Sequence, residues 1–221
     1  MVVNNLNITR KSSVDWRSFC SEVTENWFHQ QAPIGGVNIT VEIDETLLAK
    51  CKYGRGRQLV QVWLFGGIER ESKKRFIVPL LDEDNCPIPR SKEVLIPIIQ
   101  KYILPGSIVY SDMWKAYSSL TNEGYAHYGI NHSLNFVNPD EPHIHTQNIE
   151  RLWRDVKEIV KRPGMRTEYI KQYLGRYLFI KRYGNNSLHH FLTELKNLYP
   201  PSLTATIQPI RANPIPENEE D

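Results

Sequence analysis

Cysteine is scarce: Cys20, Cys51 and Cys86 are the only three in 221 residues, and no two form a Cys-x-x-Cys pair. That excludes a disulfide-stapled scaffold and a four-cysteine zinc ribbon, and leaves three ordinary thiols. Long apolar runs are missing too. The longest, Val94 to Leu104, is broken by Pro97, Gln100 and Lys101, so nothing supplies the roughly 20 apolar residues of a membrane helix. The opening Met-Val-Val-Asn-Asn lacks the basic and then apolar zones of a secretory signal, and a soluble protein of a reducing compartment is expected. Net charge is slight, at +2. What is present is an ordinary globular balance, 40% hydrophobic and 24% charged, enough for one medium domain with a real core.

The small net charge hides an uneven distribution. Residues 151–182 hold ten Lys/Arg against Asp155, Glu158 and Glu168, a local excess of seven positive charges. A second cluster, Lys50, Lys52, Arg55 and Arg57, contains no acid, whereas the tail after Leu198 sets Arg211 against four acids. Basic stripes attract polyanions whatever the overall charge, because phosphate contacts release condensed counterions. The alternative for either stripe is a solvated helix or loop face.

Hydrophobic periodicity predicts a helical lead-in over residues 1–33, capped by Ser13 or Asp15 and carrying Trp16, Phe19, Val23 and Trp27. Pro33 and Gly35-Gly36 break it. Strands are expected at 37–44, 59–68 and 75–81, joined by short connections as an antiparallel meander. A helix from Ser91, apolar at Val94, Leu95, Ile98, Ile99 and Ile103, stops at Pro105-Gly106. A strand over 107–112, a helix over 113–120, a strand over 126–130 and a loop to 142 follow. Helices are predicted at 146–162, 167–182 and 188–198, ahead of a Pro-rich acidic tail expected to be disordered. The order is an α/β pattern with an antiparallel start.

Three acids fall at element boundaries: Asp44 at the end of the first strand, Asp112 at the end of the fourth, and Glu150 at the start of the long helix. Singly, each reads as a cap or a solvated turn; Asp112 could simply cap the helix that follows it. Together they could converge on one pocket of hard oxygen ligands for divalent ions. Glu150, Arg154, Lys157 and Lys161, spaced by four, three and four, share one polar face of that helix. They suit either a metal site beside phosphate or intrahelical ion pairing.

Four segments in order make the chain recognisable: Val41-Glu-Ile-Asp-Glu-Thr46, Lys52-Tyr-Gly-Arg-Gly-Arg57, Tyr110-Ser-Asp-Met-Trp-Lys-Ala-Tyr117 and His145-Thr-Gln-Asn-Ile-Glu-Arg-Leu-Trp-Arg-Asp-Val-Lys157. Over roughly residues 37–185 they resemble the Merlin-type DDE transposases, eukaryotic relatives of a bacterial insertion-sequence transposase family. The resemblance implies an RNase H-like α/β fold, a mixed five-stranded sheet flanked by helices. It also implies two Mg²⁺ or Mn²⁺ ions and cut-and-paste DNA transposition in the nucleus. By position, Asp44, Asp112 and Glu150 become the catalytic, metal-holding acids, with 37 residues between the last two. Lys157 matches the basic residue that often follows the third acid. Some bacterial relatives use Asn there, which keeps Asn148 and Gln147 open as alternatives.

The expected partner is double-stranded DNA, both transposon ends and target, bound by a homo-oligomer through Lys52, Arg55, Arg57, Arg154, Lys157, Lys161 and Arg162, with no membrane involved. The expected organisation is a lead-in over 1–33, a catalytic domain over 34–185 and a C-terminal helix and tail over 186–221. Family members often carry an N-terminal zinc-ribbon or helix-turn-helix module, and 33 residues are too few for one. A fragment, a shortened copy and a domesticated protein are therefore all open. So are two other functions: a DNA-binding protein that no longer cuts, and an RNase H-like nuclease for RNA–DNA hybrids or junctions. His132, His143 and His145 lack familiar zinc spacing, and His145 better suits support at the helix entrance. Trp114 and Trp153 read as core. Tyr169, Tyr173 and Tyr177 read as a packing stripe, with DNA contact the alternative.

Overall fold

A computed structural model describes residues 9–48, 61–112, 114–130, 145–160 and 166–200. Helix α1 spans Arg10–His29 and starts earlier than Ser13, because the Thr9 hydroxyl accepts the Ser12 amide at 3.1 Å. Only its second half meets the core: Val23, Thr24 and Phe28 are buried, while Trp16, expected in the stripe, is 63% exposed. Among the described residues no helix is long and apolar enough to cross a membrane.

Strand β1 (Ile34–Gly35) leads into a turn in which Gly36 and Asn38 both have positive φ. That turn shifts the first long strand, β2, from the expected 37–44 to Thr40–Leu47. Strands β3 (Trp63–Glu69) and β4 (Arg75–Pro79) complete the meander. Helix α2 covers Lys92–Tyr102, and Ile103, expected on it, leaves it to form the two-residue β5 (Ile103–Leu104), parallel to β1. Strands β6 (Ile108–Asp112) and β7 (Ala126–Ile130) follow.

The predicted helix over 113–120 is replaced by two 3₁₀ turns, Lys115–Tyr117 and Leu120–Glu123. Ser118 and Ser119 inside it, and Thr121 and Asn122 just after it, compete with helical hydrogen bonding, and Gly124, left-handed at φ 87°, ends the segment. The remaining helices are α3 (Gln147–Val160), α4 (Ile170–Tyr183), preceded by a 3₁₀ turn at Thr167–Tyr169, and α5 (Ser187–Leu198). The expected loop over 131–142 and the tail lie outside the described residues.

The main sheet has five strands in the order β4-β3-β2-β6-β7. Pairing is antiparallel from β4 to β2 and parallel from β2 through β6 to β7. A meander continued by two parallel crossover strands is the RNase H-like arrangement, and the fold is of that class.

Each sheet face carries its own core. Val41 and Ile43 pack with Phe65, Phe76, Leu95, Ile99 and Tyr117 under α2. On the other face Leu64, Ile68 and Ile77 meet Ile149, Leu152, Trp153 and Val156 of α3 and Leu174, Tyr177 and Leu178 of α4. Of the expected tyrosine stripe, Tyr177 is buried and Tyr173 partly so, but Tyr169 is 43% exposed. Gly175 lets α1 approach α4: a Cβ there would stand 2.8 Å from the Thr24 carbonyl oxygen. Burial of five apolar side chains along α3 fixes which way that helix turns, at about 1.5–3 kcal/mol each.

Candidate catalytic site

Alternation along β2 sends Glu42 and Asp44 to the α3 face of the sheet and Glu45 to the α2 face. Asp44 does not end its strand, as the sequence suggests. It lies mid-strand opposite Gly66, because Glu45, Thr46 and Leu47 continue the ladder with Phe65, Leu64 and Trp63. Asp112 does end β6. The β2–β6 register, Thr40 with Ile108 and Glu42 with Tyr110, carried two residues further aligns Asp44 with Asp112 on the neighbouring strand. Strands stand about 4.8 Å apart.

Glu150 lies in the first turn of α3. Its charge and that of Asp112 both reach the Asp44 carboxyl. Burial pushes Asp44 up to about 7; the Glu45 backbone N–H opposes that, Asp112 adds to it, the Trp153 indole opposes it, and Glu150 adds further. Trp153 Nε1 donates to Asp44 Oδ2 at 3.0 Å. The indole reaches that point because residue 66 is glycine: a Cβ there would stand 2.7 Å from the ring.

Asp112 also starts the turn after β6, its Oδ1 accepting the Trp114 amide at 3.2 Å. Its neighbour Ser111 pairs with His127 Nε2 at 2.8 Å. Burial pushes the His127 imidazole down, with Asp112 pulling the other way. Behind the sheet, Glu45 is held by the Tyr117 hydroxyl and by Arg90, whose guanidinium sits 4.0 Å from the Trp63 ring centre. Burial raises Glu45 to about 7, against the Tyr117 hydrogen bond and with Asp44 and Asp112 adding to the rise.

Glu42 is the functional residue that sequence reasoning missed. It is fully buried, and its carboxylate accepts Arg70 Nε at 2.8 Å, Asn148 N at 2.9 Å, Ile149 N at 3.1 Å and Asn148 Nδ2 at 2.7 Å. Two of those donors are first-turn amides of α3, so Glu42 caps the helix from across the sheet. Arg70 Nη2 also donates to the His145 carbonyl at 2.7 Å, tying down the helix entrance. His145 lies there as expected, Nδ1 accepting the Gln147 amide at 3.4 Å, and its imidazole is pushed down by burial and by Arg70. Thr146 Oγ1 donates to Glu150 Oε1 at 3.4 Å. The one sequence signal for Glu42 is its position two residues before Asp44, on the same face.

Asn148, the alternative third residue, points elsewhere: its amide donates to Glu42 and its oxygen accepts Lys73 Nζ at 3.1 Å. Gln147 is exposed. Of the basic residues singled out from sequence, Arg154 is exposed and Lys157 half-buried on α3. Lys52, Arg55, Arg57, Lys161 and Arg162 lie outside the described residues, as do His132, His143 and Cys51. Trp114 and Trp153 are half-buried and buried, as core residues should be, and the thiols of Cys20 and Cys86 are free.

A family model described as the ISXO2-like transposase domain matches residues 31–183. The chain belongs to the ISXO2-like transposase domain family. A transposase-like protein of Haemophilus influenzae is 32% identical over 110 residues, covering 49% of this chain and 85% of that protein. Among solved structures, a chain of a simian T-cell lymphotropic virus intasome in complex with the PP2A regulatory subunit B56 gamma aligns with 84% of this chain at 17% identity and a TM-score of 0.42. This chain spans 64% of that one.

The transposase domain's acids offer hard carboxylate oxygens, the donor set that Mg²⁺ and Mn²⁺ take. Among the described residues no three His, Cys, Asp or Glu side chains have converged into a ready cage. They fit a divalent ion in another respect: burial first, and then the charges of Asp112 and Glu150, hold the Asp44 carboxyl above its ordinary range, and a cation bound there would act the other way.

Proposed function

We propose that the domain is a Merlin-type DDE transposase catalytic unit over residues 34–185, cleaving DNA ends and joining them to target DNA. On this reading it acts as a homo-oligomer on DNA, with the nucleus as its place of action. The observation that carries the reading is the half-buried Asp44 carboxyl in the middle of the central strand, facing the charges of Asp112 and Glu150. Asp44, Asp112 and Glu150 would hold two Mg²⁺ or Mn²⁺ ions. Bound there, such ions supply Lewis-acid activation of water or a DNA 3′-hydroxyl and stabilise the leaving oxygen in an in-line displacement.

The chain's own residues do the positioning. Trp153 fixes one oxygen of Asp44, and Thr146 holds one oxygen of Glu150. Glu42 and Arg70 lock the start of α3, the helix whose first turn carries Glu150. Lys157, two turns on and about 10.5 Å along the axis, follows Glu150 on nearly the same flank, where a DNA phosphate would run. Asn148 is turned about 200° from Glu150 and is engaged by Glu42, which supports Glu150 as third acid.

The test is divalent-ion-dependent cleavage of a labelled duplex bearing element ends. Glu150→Gln should abolish it, Lys157→Ala should weaken it, and Asn148→Ala should have a smaller effect. A dead Asn148→Ala beside an active Glu150→Gln would transfer the third role to asparagine. Binding without cleavage by the wild type would indicate a domesticated binding protein, and preference for RNA–DNA hybrids a nuclease.

A further inference from the structure

A cavity of about 340 Å³ opens between the end of α1, the β3–β4 turn and the last turns of α4. Five cations line it, Lys73, Lys74, Arg75, Lys181 and Arg182, and no Asp or Glu does. The two groups are more than a hundred residues apart in sequence, so folding alone gathers them. Concentrated like charge in a concave wall raises the local potential and draws in polyanions.

Two of the cations are braced against α3. Lys73 Nζ donates to Asn148 Oδ1 at 3.1 Å and Lys181 Nζ to Asp155 Oδ2 at 3.0 Å. Positions 148 and 155 share one flank of α3, about 10.5 Å apart along the axis. One strand of B-DNA advances about 3.4 Å of axis per phosphate, so this span corresponds to about three phosphate steps along the axis. The flank is the one turned away from Glu150.

We propose that this cleft is a second DNA-backbone site. It grips duplex phosphates on the opposite side of α3 from the acids, roughly one helix width of about 10–12 Å away, and holds DNA without touching the scissile bond. The inference rests on the DNA-acting reading above for the identity of the polyanion.

Lys74 and Arg182 are both exposed, so replacing them should leave the fold intact. Lys74→Gln and Arg182→Gln, singly and together in the full chain, would be compared by anisotropy with a labelled duplex of arbitrary sequence between 50 and 200 mM salt (roughly the range over which such contacts are read). Affinity should fall at every salt concentration. The slope of log K against log salt should flatten by about one per lost contact, so by about two in the double variant.

In end cleavage the double variant should raise KM and leave kcat unchanged. Lys11→Gln with Lys196→Gln, at exposed sites outside the cleft, should leave the slope as it was. An unchanged slope in the cleft variants would overturn the proposal, and so would an equal loss in the control pair. Tight binding of inorganic phosphate or a mononucleotide that duplex DNA does not displace would also overturn it. Absence of cleavage by the wild type, with the slope change still present, would sink the catalytic reading and leave the cleft standing.

Discussion

Two carboxylates two residues apart on one face of β2 meet opposite surroundings. Glu42 is fully buried, yet it is surrounded by donors: a guanidinium, two helix amides and a side-chain amide. Asp44 has the Glu45 amide and one indole N–H, and faces two further acids that help push it up to about 7. The first arrangement is satisfied and holds structure together. The second leaves a half-buried carboxyl with few donors and two acids acting on it, a perturbed group of the kind that clusters at reactive sites. Proximity in sequence therefore says little about role; the donors that the third helix and the β3–β4 turn bring in decide it.

The comparison breaks most sharply under Asp44→Asn. Asparagine keeps an oxygen for the Trp153 indole but removes the charge, so end cleavage should fall by on the order of a thousandfold, equivalent to about 4 kcal/mol. Thermal stability should hold or rise slightly, as differential scanning fluorimetry would show. Normal cleavage by this variant would remove Asp44 from the chemistry.

Glu42→Ala should do the reverse. It removes the buried carboxylate partner of Arg70 and of two helix amides, at a cost of about 3–5 kcal/mol, and Tm should drop by about 10 °C at the 2–4 °C per kcal/mol typical of this size. Glu42→Gln, which still accepts hydrogen bonds, should lose clearly less. Equal Tm values for the two variants would mean that the cap does not depend on charge.

Trp153→Phe isolates one hydrogen bond. The shorter ring keeps the packing of α3 largely apolar although it loses the outer indole atoms that lie against Gly66, and Asp44 loses a donor that favours its charged form. Cleavage should weaken up to about tenfold, and the acidic limb of its pH profile should move up by about one unit, in line with about 1.5 kcal/mol for a bond to a charged group. A rate change without movement of the limb would assign the effect to packing.

The smallest effect is on stability against pH. Asp44 and Glu45 both titrate near 7 in the folded chain, against ordinary values of 3.8 and 4.5. The folded state therefore binds more protons than the unfolded one between about pH 4 and 7, and stability is lost as pH rises through that window. Tm of the metal-free protein should fall by several degrees from pH 5 to pH 8. Divalent ions should recover much of the loss at pH 8, and Asp44→Asn should reduce both effects. A flat Tm would show that these carboxyls ionise freely.

Much of the fold was legible because it is local. Alternating β-branched residues marked β2, the apolar spacing of Ile149, Leu152, Val156 and Val160 oriented α3, and Pro105-Gly106 ended the helix before β6. Three readings went astray where polar residues were involved. Thr9 took the cap assigned to Ser13 or Asp15. Ser118, Ser119, Thr121 and Asn122 reduced an expected helix to two 3₁₀ turns. Glu45 and Thr46 looked like the strand's exit but continue it, because Tyr117 and β3 supply partners that no local pattern reveals.

By itself the sequence determined the order of the main-sheet strands and of the long helices and, through a family resemblance, implied the RNase H-like class and the candidate acids, because periodicity and motif are properties of neighbouring residues. Tertiary structure alone decided which acids stand close to one another. Register set Asp44 level with Asp112, Gly66 admitted the Trp153 indole, and Glu42 anchored the helix that carries Glu150. It also gathered Lys73, Lys74 and Arg75 with Lys181 and Arg182 into one cleft. Charge interactions fall off with distance in space and not along the chain, so an acid's partners, and with them its chemistry, emerge only once the chain has closed on itself.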